Sequence, residues 1–120
     1  MTCFWDSVIH GLHIEKEFSP STFLSYLKSN NRKTSNVLIN QAPLKEQEKR
    51  ENVEAIKELT LGNGYWCSTA DPVLCLVAEL KNINIRHDLN GTTTMYETRS
   101  AEKVLHLSSS SSHCSLSRGI

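Results

Sequence analysis

The apolar positions of the chain follow two different periods, one before about Lys81 and one after it. From Phe4 to Leu12 they recur at three- and four-residue spacing: Phe4, Val8 and Leu12, flanked by Trp5 and Ile9. That stripe predicts a helix with Cys3 at its partly buried start. Gly11 weakens the helix by about 1 kcal/mol relative to alanine. Ser19-Pro20-Ser21 reads as an N-cap followed by proline at the first helical position. The helix it opens carries Phe23, Leu24 and Leu27 on one face and ends in the polar run Ser29-Asn30-Asn31-Arg32-Lys33. Val37-Leu38-Ile39 is a strand or a buried connector. Pro43 to Leu59 is the longest expected helix, solvated along its charged N-terminal half and apolar at Val53, Ile56 and Leu59. Gly62-Asn63-Gly64 marks a turn. Asp71 is expected to cap a helix whose first turn holds Pro72 and which runs to about Lys81. That helix is apolar nearly all round, as a central buried helix should be.

Beyond Lys81 the period changes to two. Ile83 and Ile85 alternate with polar residues, as in a half-buried strand. Asn90-Gly91 is a strong hairpin signal, with the β-prone run Thr92 to Tyr96 after it. Val104-Leu105-His106-Leu107 predicts another strand, Ser108 to Ser112 a flexible loop, and His113 to Ser117 a last strand. Helices followed by a small, mainly antiparallel sheet make an α+β pattern.

Composition narrows the function classes. The 120 residues argue for one domain spanning 1–120. Thirteen Lys+Arg balance thirteen Asp+Glu, which excludes a broadly basic nucleic-acid binder and an acidic solvating protein. No apolar run approaches the roughly 20 residues of a membrane-spanning helix. The start of the chain lacks the basic and apolar regions of a signal peptide. A reducing, cytoplasmic setting is therefore expected, with a monomeric chain and neither membrane nor cofactor. Cys3, Cys67, Cys75 and Cys114 are then expected as free thiols. They contain no C-x-x-C pair.

Two constellations could carry chemistry. A thiol at a helix N-terminus, with a histidine to act as base and then acid, is the arrangement of cysteine hydrolases. Cys3 and His113 have those positions: one at a helix start, the other beside a late strand. The second constellation is a metal site from His10 and His13, three residues apart, completed by Cys67, Cys75 or Cys114. Its spacings match no common zinc module. Cys67 and Cys75 read as packing thiols, and Trp5 and Trp66 as core residues. Arg32, Lys33 and Lys45 lack the interleaved aromatic residues of a nucleic-acid patch.

Several segments resemble the ovarian-tumour (OTU) family of cysteine proteases, in the family's order. Cys3-Phe4-Trp5-Asp6-Ser7-Val8 resembles its nucleophile segment. Gly64-Tyr65-Trp66 resembles the tryptophan before its apolar helix. Val73 to Ile85 is similar to its helix-then-strand stretch. Val104 to Leu107, a polar loop and His113 resemble its closing segment. The resemblance implies a papain-like domain in which Cys3 is the nucleophile and His113 the general base, placed at the mouth of a cleft. It implies cleavage after the C-terminal tail of ubiquitin or a ubiquitin-like protein, or at a polyprotein junction as in compact viral members, which would act in the host cytoplasm.

The family pattern also differs here at three places. Asp-Gly-Asn usually precedes the cysteine and helps build the oxyanion hole; here only Met1 and Thr2 do, so that loop is absent or supplied by sequence outside this chain. An aromatic residue usually follows the histidine; here it is Cys114. The orienting Asn or Asp two positions on is Ser115, with Asp6 and Asp88 as alternatives in space. These differences leave a second expectation, an inactive OTU-like module that binds ubiquitin or another protein.

Overall fold

The computed structural model describes residues 3–31, 37–43, 53–54, 67–110 and 113–120. The expected helix over 43–59 lies outside these, except that Val53 and Glu54 are helical and Pro43 is in a strand. The Gly62–Gly64 turn, Trp66, Arg32, Lys33, Lys45 and the side chain of Cys67 also lie outside them.

Helix α1 spans Cys3–Gly11 and buries Phe4, Trp5, Val8 and Ile9. It stops in a Schellman turn. Ile14 N–H reaches back to the Ile9 carbonyl and His13 N–H to that of His10, with His13 in the left-handed region at φ 60°. Helix α2 spans Pro20–Ser29. Its Ser19 cap and Thr22 exchange hydrogen bonds in a capping box, as the Ser-Pro signal predicts. Helix α3 spans Cys67–Lys81 and so starts four residues before the expected cap at Asp71. Pro72 consequently lies inside it. A second Schellman turn ends it, with Asn82 at φ 51° and Ile83 N–H bonded to the Ala78 carbonyl. The chain passes from there directly into the sheet.

Among the described residues the sheet has six strands in the order β2-β1-β4-β3-β5-β6. They are β1 (Val37–Ile39), β2 (Ala42–Pro43), β3 (Asn84–Leu89), β4 (Thr92–Thr98), β5 (Val104–Ser110) and β6 (His113–Arg118). All neighbouring pairs are antiparallel except β3 and β5. The β3–β4 hairpin turns at Asn90-Gly91, both at positive φ, as a type I′ turn requires. The β1–β2 hairpin uses Asn40-Gln41 in the same way. Asn40 also ties it to β4, since its Oδ1 accepts from the Met95 N–H at 2.8 Å.

The parallel pair needs no helical crossover, because residues 99–103 pass beneath the first residue of β3. Asn84 organises that passage. Its Oδ1 accepts from Thr98 N–H at 2.9 Å, its Nδ2 donates to Ala101 O at 3.3 Å, and its backbone N–H donates to Lys103 O at 2.9 Å. The serine run expected as a loop continues β5 to Ser110, in register with β3 and β6. Ladder hydrogen bonds on both sides override the low strand preference of serine.

One face of the sheet is covered. A single apolar cluster joins α1, α2 and α3 to Val37, Ile85, Tyr96, Leu105, Leu107 and Cys114. Val73 through Ala78 are all buried, as an all-round apolar helix predicts. The architecture is therefore α+β, with helices on one face of a mainly antiparallel sheet.

Candidate active site

The first turn of α1 meets the first residues of β6. Gly11 permits the approach further along the helix. A Cβ at that position would collide with Leu105 Cδ1 of β5 and lie 2.8 Å from Leu116 Cδ1 of β6. The chain end adds a clamp, with Ile120 N–H bonded to the Gly11 carbonyl at 3.0 Å and His13 Nε2 donating to the Ile120 carbonyl at 3.0 Å. Helix and strand are thus held along their whole shared length.

At the start of that contact lie the two cysteines. The backbone N–H of Cys114 donates to Cys3 Sγ at 3.4 Å, across 111 residues of sequence. Ser7, one turn into the helix, donates to the Cys3 carbonyl at 2.6 Å and lies 3.4 Å from the Cys114 carbonyl. Cys3 is half-buried and Cys114 is buried. Burial pushes the Cys114 thiol above its ordinary value. The Ser109 hydroxyl pulls against this, the neighbouring Cys3 adds to it, and Ser7 opposes it more weakly. Beneath Ser109 lies His87, fully buried, with Nε2 2.7 Å from the Ser109 hydroxyl.

His113 is the residue before Cys114, so α1 and β6 bring the two expected catalytic residues to adjacent positions. Strand alternation then separates their side chains. Cys114 points into the core, while His113 and Ser115 are exposed. The His113 ring makes no hydrogen bond with a described residue. Ser115, one of the expected orienting residues, donates to the Ser108 carbonyl at 3.4 Å. Asp6 is exposed on α1.

Asp88 has a different partner. On the face of the sheet opposite the helices its Oδ2 lies 2.7 Å from His106 Nε2, and its Oδ1 accepts from Thr93 Oγ1 at 2.6 Å and from Arg86 Nε at 3.3 Å. Led by the Thr93 and His106 bonds, these donors hold the carboxyl far below its ordinary value. Asp88 aligns with Ser108 on β5, which aligns with Ser115 on β6. At about 4.8 Å per strand it stands roughly 10 Å from β6, too far to orient His113.

The described residues of the His10, His13 and cysteine constellation do not converge. His10 is exposed, His13 is engaged with Ile120, and Cys75 is buried in α3. Among the described residues no group of three His, Cys, Asp or Glu side chains could hold a metal ion. No helix among them is long and apolar enough to cross a membrane. A cavity of about 800 Å³, with Leu38, Glu79, Asn82 and Glu97 in its wall, sits at the β1–β4 side of the sheet. A second of about 380 Å³ lies between Arg86, Lys103, His106 and Arg118. Neither Cys3 nor His113 lines either one.

The sequence assigned no role to Ser109 or His87, placed Ser7 only within the nucleophile segment, and offered Cys114 only as a free thiol or a metal ligand, not as a neighbour of Cys3. The alternation of Cys114 and Leu116 with polar neighbours is the signal that turns Cys114 inward, toward α1. Compared with protein-family models, curated proteins and solved structures, the chain matches none.

Proposed function

We propose that this chain is an OTU-like cysteine hydrolase domain acting in the cytoplasm on the C-terminal tail of ubiquitin or a ubiquitin-like protein, or on a polyprotein junction. The observation that carries the reading is the N–H···S contact between Cys114 and Cys3. It joins the helix-start thiol to the strand that begins with His113. In this mechanism His113 takes the Cys3 thiol proton, the thiolate attacks the terminal carbonyl of the tail, and the C–N bond breaks as His113 returns the proton to the leaving amine. Water, deprotonated by His113, then hydrolyses the thioester. For this the His113 ring must turn around the end of β6 toward Cys3.

A second reading, a non-catalytic module that binds ubiquitin, is favoured by one observation: the His113 ring lies on the exposed side of β6. Hydrolysis of a fluorogenic amide at the ubiquitin C-terminus separates the two. The enzyme reading predicts turnover that falls at least a hundredfold in both Cys3→Ala and His113→Ala. Turnover equal to wild type in Cys3→Ala would remove the thiol from the mechanism. Ubiquitin binding without turnover would establish the second reading.

A further inference from the structure

A thiol held against the backbone amide of a second cysteine is chemically more than one nucleophile beside one packing residue. Neither Cys3 nor Cys114 is in a disulfide. The Cys114 amide already touches the Cys3 sulfur, and Ser7 holds both cysteine carbonyls around one hydroxyl. A cysteine sulfur lies three bonds from its own amide nitrogen, so rotation about the Cys114 Cα–Cβ bond is the motion by which that sulfur would reach Cys3. The two differ in access. Cys3 is half-buried, whereas Cys114 is 1% exposed. Cys75, the other thiol described, is buried in α3.

We propose that Cys3 and Cys114 form a redox-active dithiol, in which Cys3 is the peroxide-sensitive thiol and Cys114 the resolving one. Oxidation starts at the sulfur that solvent reaches. The Cys3 thiolate attacks one oxygen of hydrogen peroxide, the O–O bond breaks, and hydroxide leaves to take up a proton as water. Cys3 becomes a sulfenic acid, oxidised by two electrons. The Cys114 sulfur then attacks the Cys3 sulfur. The S–O bond breaks, and the departing hydroxide takes the Cys114 thiol proton to form a second water. An intramolecular disulfide remains, and a thiol reductant returns both cysteines. Burial keeps Cys114 protonated and shielded until Cys3 has reacted.

The dithiol stands on the thiol geometry alone. Its consequence, reversible silencing of the nucleophile, rests on the hydrolase reading. Both are tested on the wild-type chain. The folded protein is treated with equimolar hydrogen peroxide, alkylated, digested and mapped by mass spectrometry. The expected result is a Cys3–Cys114 cross-linked peptide, loss of two of the four thiols, and recovery of both on reduction. Cys114→Ser should give no cross-link and should drive Cys3 on to sulfinic acid; the wild-type map decides the matter if that variant fails to fold. Cys3 oxidised to sulfinic acid with Cys114 alkylated, a cross-link through Cys67 or Cys75, or four intact thiols would each overturn the proposal. In parallel, an electrophilic ubiquitin probe should label the oxidised chain at least tenfold less than the reduced one. A mapped disulfide in a chain that the probe never labels overturns the silencing role and the hydrolase reading, and leaves the dithiol standing.

Discussion

Asp88 illustrates how one side chain, one of three candidates to orient His113, can be engaged elsewhere. Its three donors, Thr93, His106 and Arg86, all stabilise the charged carboxylate. The folded chain therefore binds that proton less readily than the unfolded chain, whose carboxyl titrates near 3.8. Stability from this cluster is present above about pH 4 and is lost as pH falls below it. Thermal melts recorded between neutral pH and pH 2 should show a smaller acid-induced fall in Tm for Asp88→Asn than for wild type. An identical pH dependence in the two proteins would mean that the cluster contributes nothing. Cys114 shows the opposite case. Its burial raises the thiol pKa, so at neutral pH it sits beside Cys3 as a neutral group.

At the scale of elements, the contact between α1 and the β5–β6 pair positions the candidate site, and Gly11 sets how close the two can come. Alanine there would gain up to about 1 kcal/mol in helix propensity, and less at the last residue of the helix. Against this, its Cβ would meet the fully buried Leu105 and the partly exposed Leu116. Overpacking of this kind costs about 1–3 kcal/mol. Gly11→Ala should therefore lose about 1 kcal/mol net in denaturant unfolding, while a midpoint equal to or above wild type would show that helix and sheet are not so closely apposed.

The same elements show what could be read from sequence. The stripe Phe4, Val8 and Leu12, the Ser-Pro cap, the alternation around Ile85 and the Asn90-Gly91 turn are local signals, and each element formed where they stood. The β1–β2 turn was missed because Asn40-Gln41 reaches positive φ without glycine. The strand through Ser108–Ser110 was missed because neighbouring strands, and not its own residues, hold it. The start of α3 before Asp71 overrode the Pro72 signal.

Across the whole molecule, topology brings chemistry together that no local pattern places. The passage of residues 99–103 under Asn84 makes β5 parallel to β3, and β6 then returns along the outer edge of the sheet to meet α1. A helix start and a strand start, 111 residues apart for Cys3 and Cys114, thereby share one hydrogen bond. Cys3 and His113 were legible as candidates, because a helix-start thiol and a strand-start histidine each have local signatures. Their relative orientation was not, since it depends on which side of β6 faces α1. Once Cys114 faces inward, His113 faces outward. Asp88 failed as the third residue for a related reason, standing two strands from β6 with its own histidine partner.

The central claim, that Cys3 is a nucleophile addressed to the ubiquitin tail, is tested most directly by covalent trapping. Reduced protein is incubated with ubiquitin bearing a C-terminal electrophile, and the adduct is mapped by peptide mass spectrometry. The account predicts a single adduct on Cys3, absent in Cys3→Ala and slowed at least tenfold in His113→Ala. An adduct on another cysteine, or none from a folded chain that binds ubiquitin, would contradict it.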